Sequence, residues 1–180
     1  MVQNDGIESI VSGLQYDNEF WRFSLSVYKQ NEVAQECLAL QETSDTNINL
    51  LLFCAWAGTQ GIVLSSENIE TASMAVAVWE ETIVRALRGM RQKIKSFGAA
   101  GLEDFRARVK DIELEAEKVE QAILFGYSKS ISGSPAGTDR RDVITDNIKK
   151  YIAVKSGAGE GHSPERSAPY LVGAALRLRS

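Results

Sequence analysis

Arginine side chains near the middle of the chain are the strongest candidates for chemistry in this sequence. Arg85, Arg88 and Lys95 are separated by three and seven residues, and Arg91 lies beside them. On a helix this spacing puts side chains on one face, and guanidinium groups form paired hydrogen bonds with carboxylates and phosphates. The simpler interpretation is a solvated face on which Glu81 pairs with Arg85. The functional interpretation is a docking surface for an acidic protein partner, formed by the three arginines and Lys95.

A second candidate site is a pocket between helices, lined by aromatic and polar side chains. Its residues are Trp21, Arg22, Tyr28, Asn49, Trp56, Trp79 and Glu80. Core packing is the default role for aromatic residues at helical spacing, but a buried charge or amide needs a partner. Arg22 and Glu80 could form a buried ion pair, or the same groups could line a cavity for a small ligand. The sequence leaves both interpretations open.

The acidic residues Glu113, Glu117 and Glu120 share another helix face, with Glu115 beside them. Di-metal carboxylate bundles combine inward glutamates with Glu-x-x-His motifs, and the single histidine, His162, lies far along the chain. We therefore expect these glutamates to be solvated. The sequence predicts no metal site, no cofactor and no catalytic residue, although it leaves open whether the protein is an enzyme.

Hydrophobic periodicity predicts an all-α bundle of about five main helices. They are expected at about 17–29, 32–42, 48–57, 67–96 and 102–126, with a further short helix at 139–154. Asp17 or Asn18 can cap the first helix, and Ser65 or Ser66 can cap the fourth.

Apolar residues of the fourth and fifth helices repeat at alternating steps of three and four, which is typical of helices that pack along a seam. The seam residues are Ile83, Leu87, Met90, Ile94 and Phe97, then Leu102, Phe105, Val109, Ile112 and Ala116. The two patterns are mirror images about the turn at 98–101. We therefore predict an antiparallel helical hairpin, formed by about 67–96 and 102–126, in which these side chains meet. The arginine face would then point away from the partner helix.

Charge and composition divide the chain near residue 128. Residues 1–128 hold 19 acidic and 11 basic side chains, whereas residues 129–180 hold 5 acidic and 9 basic ones. An acidic body lacks the dense basic face that nucleic acids require, so no nucleic-acid partner is expected. We predict a helical bundle domain at 1–128, followed by a linker, a short helix and a mostly flexible tail at 129–180.

The chain is expected to be cytoplasmic and to have no membrane span. The uncharged stretch at 46–66 is long enough to span a membrane. Its apolar part, however, covers only 48–58, which suits a buried core helix better. No signal peptide is evident at the start. Cys37 and Cys54 lie in apolar stretches and are expected to be reduced core thiols.

Three segments resemble a known family. They are Phe20-Trp-Arg-Phe-Ser-Leu25 with Tyr28, Asn49-Leu-Leu-Leu-Phe-Cys-Ala-Trp56, and Leu87-Arg88 followed by Arg91; Glu113-Leu-Glu115 adds to them. Together they resemble the bacterial family "domain of unknown function 2390" over roughly residues 15–125. The resemblance implies a helical, cytoplasmic protein and adds no chemistry.

The sequence favours a non-enzymatic interaction or regulatory module that uses the arginine face to engage an acidic partner. The alternative is a small-ligand-binding or enzymatic protein with the aromatic pocket. Homodimerisation through leftover apolar helix faces is also open, because periodicity does not distinguish it from packing within the chain.

Overall fold

The chain folds as a bundle of helices. A computed structural model of the protein describes residues 13–98, 101–131, 139–156 and 168–178. Within these residues there are seven helices and no β-strand: α1 (Glu19–Tyr28), α2 (Asn31–Ser44), α3 (Ile48–Thr59), α4 (residues 66–96), α5 (Glu103–Ser128), α6 (Arg140–Ser156) and α7 (Pro169–Arg177). Helix α4 consists of Ser66–Trp79, a π-helical turn at Glu80–Val84, and Arg85–Ser96. The predicted all-α class is confirmed, and the predicted number of five main helices is too low.

Helix α3 lies at the centre because it is apolar nearly all the way round: every residue from 49 to 59 is buried. The side chain of Asn47 begins the helix by accepting a hydrogen bond from the backbone N–H of Leu50 at 3.1 Å. The Trp56 ring lies 5.4 Å from Phe20 of α1 and 5.6 Å from Phe125 of α5, measured between centroids. None of the helices described is both long and apolar enough to cross a membrane.

Side-chain caps fix where two helices start. Asn18 accepts a hydrogen bond from the backbone N–H of Trp21 at 2.8 Å, as predicted for the start of α1. At the start of α4, Ser65 and Asn68 accept hydrogen bonds from each other's backbone N–H groups at 3.0 and 3.1 Å. This reciprocal capping box satisfies donors that the first helical turn leaves free.

Helix α6, which lies beyond the division predicted at residue 128, packs into the same hydrophobic core as α3. Ile144 packs directly against Gly58 of α3. The fully buried Asn147 accepts from the Leu64 N–H at 2.9 Å and donates to the Ile62 carbonyl at 2.8 Å. Leu171 of α7 is also completely buried. The rest of the predicted flexible tail, at 157–167 and 179–180, lies outside the described residues.

The antiparallel hairpin of α4 and α5 is confirmed, but its predicted seam is partly wrong. The Trp79 indole N–H of α4 donates to the Ala116 carbonyl of α5 at 2.9 Å, and Ile94 and Val109 are buried as expected. Five of the ten seam residues are exposed instead: Ile83, Met90, Phe97, Phe105 and Ile112. We call these five residues the hairpin face. The helices are turned so that charged side chains occupy the contact.

Candidate functional site

Arg88 and Arg91 lie between the two helices of the hairpin and bind glutamates of α5. Arg88 donates to Glu113 at 3.2 Å and to Glu117 at 2.9 Å. Arg91 donates to both carboxylate oxygens of Glu113, one of them at 3.1 Å. The Arg88 side chain is only 18% exposed and that of Glu113 only 7%. The hairpin is therefore joined by a layer of ion pairs that little water reaches.

Two predictions about charged faces are wrong at these positions. Arg88 and Arg91 point toward the partner helix rather than away from it, and Glu113 and Glu120 are buried rather than solvated. The predicted apolar seam left no place for these charges between the helices. In the structure each buried charge meets an opposite one, which offsets the cost of burying it. Lys95 alone of the four proposed docking residues is exposed.

Below this layer, two carboxyl groups meet in the interior. Glu120 is fully buried, and its two oxygens accept hydrogen bonds from the side-chain amides of Asn47 at 2.7 Å and Asn49 at 2.9 Å. The Glu80 carboxyl group is in hydrogen-bonding contact with it. Burial, followed by the adjacent charge of Glu80, raises the pKa of Glu120 to about 8. At neutral pH the pair therefore retains a proton on Glu120.

This proton makes stability depend on pH. The folded protein keeps it up to about pH 8, whereas an unperturbed glutamate releases it near 4.5. Between these values unfolding releases a proton, so the free energy of unfolding falls as pH rises and is regained on acidification. Between about pH 5.5 and about pH 8.5, we expect the free energy of unfolding of the wild type to fall by about 1 kcal/mol or more relative to that of Glu120→Gln. Urea unfolding measures this, and parallel pH profiles for the two proteins would contradict the buried proton.

A cleft of about 220 Å³ opens between α3, α4 and α6 beside the carboxyl pair. It is lined by Asn47, Leu50, Ser73, Val76, Ala77, Glu80, Glu81, Arg85, Tyr151 and Lys155. Its rear wall includes Glu80, whose side chain is 11% exposed, and Glu81 lies nearer the solvent. The cleft thus combines a polar interior, a buried carboxylate and access from outside.

Arg85 extends across this cleft rather than toward α5. Its Nη2 nitrogen donates to both carboxylate oxygens of Asp45, at 2.9 and 3.0 Å. Its Nε atom lies 3.3 Å from Glu80 and 3.4 Å from Glu81, yet forms no hydrogen bond with either. Lys155 approaches Asp45 at 3.4 Å. Arg88 also approaches Glu80, at 4.0 Å, which connects the cleft to the ion-pair layer. Among the residues described, the connected network holds five carboxylates and four cations, so one negative charge is left over: Asp45, Glu80, Glu81, Glu113 and Glu117 against Arg85, Arg88, Arg91 and Lys155.

The π-helical turn places the acidic residues of this site. The Arg85 N–H donates to the carbonyl of Glu80, five residues earlier. This turn therefore contains one residue more than a regular α-helical turn. Glu80 and Val84 are buried on its inner side, while Glu81 follows at the mouth of the cleft. Such turns are frequent at functional sites because they redirect side chains without ending a helix.

The predicted aromatic pocket is not formed as a unit. Trp56 is packed in the core, and Tyr28 is half-buried, with its pKa raised to about 12, mainly by burial. Arg22 is 61% exposed and lies 3.9 Å from Asp17, so the Arg22–Glu80 ion pair, one of the two interpretations that the sequence left open, does not form.

Other members of the predicted pocket act elsewhere. The Trp21 ring lies under the Lys118 ammonium at 5.5 Å, and Trp79 joins α4 to α5. Glu80 is the one predicted residue that lines the cleft. Asn49 lies behind it, where it orients Glu120.

Sequence reasoning missed Asn47, Asp45, Tyr151 and Lys155. The Tyr151 hydroxyl accepts from the Asn47 N–H at 2.9 Å and donates to the Asn47 carbonyl at 3.2 Å. Asp45 and Asn47 lie between the helices predicted at 32–42 and 48–57, and α6 was placed outside the predicted domain. The apolar stripe that includes Ile144 and Ile148 was the signal that α6 belongs to the core.

The described residues contain no group of three or more histidine, cysteine or acidic side chains suited to a metal ion. Cys37 and Cys54 are both buried and free. Burial raises the pKa of the Cys37 thiol to about 12 and that of Cys54 further still. Neither thiol is therefore activated as a nucleophile.

The fold and site define an all-α bundle whose long hairpin is joined by buried ion pairs and adjoins a charged cleft. Residues 19–124 match the model of a family described as "protein of unknown function (DUF2390)", and the chain belongs to that family. The match includes Glu80, Arg88 and Glu120 but not α6 or α7. No curated protein matches this chain. No solved structure matches it either.

Proposed function

We propose that the protein binds a small, positively charged organic molecule in the cleft between α3, α4 and α6. The observation that carries the proposal is the excess of carboxylates in the ion-pair network at the cleft, where five of the described carboxylates meet four cations. Glu80 and Glu81 line the cleft itself. A ligand with one ammonium group would neutralise the remaining charge. Glu80 is the best-placed acceptor because its surroundings exclude most water, which strengthens an ionic contact.

The volume of the cleft limits the ligand to a small molecule. A buried cavity of about 150 Å³ holds benzene, so about 220 Å³ suits roughly nine or ten non-hydrogen atoms. Leu50, Val76 and Ala77 supply an apolar patch. The Ser73 hydroxyl donates to the Ile69 carbonyl, and its oxygen can accept a hydrogen bond from the ligand. This mixture is typical of small-molecule sites, where apolar surface gives affinity and a few polar groups give specificity. A short alkyl or aryl amine fits this description.

Binding of an acidic partner by the arginine face has little support. Such a partner would have to displace Glu113 and Glu117 from Arg88 and Arg91. Breaking buried pairs leaves charges uncompensated, which costs several kcal/mol.

We also propose that the protein acts in the cytoplasm. The support is the state of Cys37 and Cys54, which are free and buried. Cytosolic proteins keep thiols reduced, whereas oxidising compartments favour disulfides.

A thermal-shift screen tests the ligand proposal. Small amines are compared with carboxylates and alcohols of matched size at millimolar concentration. An amine present at 100 times its Kd stabilises the folded state by about 2.7 kcal/mol. For a chain of this length, that raises Tm by about 5–10 °C. Matched carboxylates should give no such rise.

Glu81→Gln removes one cleft carboxylate from a position where the side chain is 73% exposed, so folding should be unaffected. We expect this variant to show a smaller amine-induced shift than the wild type, because it removes one negative charge from the cleft while Glu80 remains as the acceptor. Glu70→Gln changes an exposed residue of the same helix outside the cleft and should respond like the wild type. Equal responses from both variants, or equal shifts with carboxylates, would refute the proposal.

A further inference from the structure

The hairpin face is an unusually apolar surface for helices that otherwise carry many charges. Phe97 is 73% exposed, Met90 50% and Ile112 51%. Val78, on the preceding turns of α4, is 65% exposed. Large side chains that lie together in this way, rather than singly, mark an interaction surface.

The spacing of the face indicates a helical partner. Ile83, Met90 and Phe97 are seven residues apart on α4, and Phe105 and Ile112 are seven apart on α5. A seven-residue repeat keeps side chains in one row along a helix, which is the pattern of a coiled-coil seam. Helices α4 and α5 are antiparallel, and both rows lie on one side of the contact between these helices. The two rows therefore form one surface.

Charge favours a second copy of the same chain. Arg108 and Glu115 are exposed and flank Ile112 at four residues before it and three after it. If two α5 helices cross antiparallel near Ile112, each Arg108 comes opposite the partner's Glu115. The same two-fold axis brings Phe97 of α4 level with the partner's Val78. A two-fold interface requires this kind of self-complementarity.

We propose that the protein forms a two-fold symmetric homodimer in which the hairpin faces pack against each other, with the hairpin turns at opposite ends. The four helices form a bundle whose core is the five residues of the hairpin face. Reciprocal Arg108–Glu115 pairs set the register of the α5 helices. This inference is independent of the ligand proposal, because the cleft lies on another side of α4.

Sedimentation velocity and light scattering from about 1 to 100 µM test the dimer. We expect a species of twice the chain mass of 19.8 kDa. Ile112→Glu should raise the dimer dissociation constant at least 100-fold, because it puts paired carboxylates at the centre of an apolar contact. Leu38→Glu is the matched control: Leu38 is 47% exposed on α2, and its replacement should leave the dimer intact. Circular dichroism checks that both variants are folded.

A charge exchange tests the register. Arg108→Glu and Glu115→Arg should each weaken the dimer about tenfold or more, because each places like charges opposite one another. The double variant should recover most of the wild-type affinity. A monomeric wild type, a dimer insensitive to Ile112→Glu, or a double variant no better than the single ones would overturn the proposal. A monomer would also assign the face to a different protein.

Discussion

Replacing Arg88 by methionine should lower the free energy of unfolding by about 3–5 kcal/mol at neutral pH. Arg88 donates hydrogen bonds to Glu113 and Glu117 and lies 4.0 Å from Glu80, in a contact that little water reaches. Methionine has a similar length but no charge, so the glutamates would remain buried with too few cations. The loss comes chiefly from these uncompensated carboxylates rather than from missing apolar contact.

Urea unfolding of Arg88→Met and Lys95→Met at the same pH measures this difference. Lys95 is exposed on the same helix, so its replacement should change stability by less than about 0.5 kcal/mol. If Arg88→Met were as stable as Lys95→Met, then Arg88 would be a surface residue and available for a partner, as the sequence alone suggested.

Gly58→Ala should destabilise the protein by about 3 kcal/mol. A methyl group at this position would lie 2.7 Å from the Ile144 Cα and 2.9 Å from the Ile144 backbone nitrogen. Because these atoms are backbone, α6 would have to move away from α3, and the cleft side chains Tyr151 and Lys155 would move with it. The variant should therefore also weaken ligand binding.

Gly126→Ala is the matched control for that substitution. Gly126 is also helical, but a methyl group there would have no neighbour within 4 Å. Alanine is favoured over glycine in a helix, so this variant should be more stable by about 0.5–1 kcal/mol. Thermal and urea unfolding of the two variants would show opposite changes. A neutral Gly58→Ala would mean that α6 does not pack on α3.

Local patterns in the sequence were sufficient to predict much of the fold. The uniformly apolar stretch at Ile48–Thr59 predicted a central helix, and Asn18 and Ser65 predicted helix starts, because each depends on residues close together in the chain. The hairpin followed from two mirror-image apolar patterns. These features require no knowledge of long-range contacts.

The errors arose where distant residues compensate each other. Arg88 is tolerated inside only because Glu113, 25 residues later, meets it, and periodicity carries no information about that match. Because these charged pairs occupy the contact between α4 and α5, the hairpin face points outward in the structure. Similarly, Asn47 and Tyr151 are 104 residues apart, so neither could be assigned to the site from its neighbours in the chain. Glu80 was found because a charged residue beside Trp79 was conspicuous.

Native mass spectrometry of the protein purified gently from its own host tests the central claim most directly, namely that the cleft holds a small organic cation. The account predicts a small added mass on the wild type and on Glu70→Gln, lost on denaturation and identified as an amine. The same mass should be less abundant on Glu81→Gln than on the wild type. A wild type without added mass, or a bound molecule retained equally by Glu81→Gln, would contradict it.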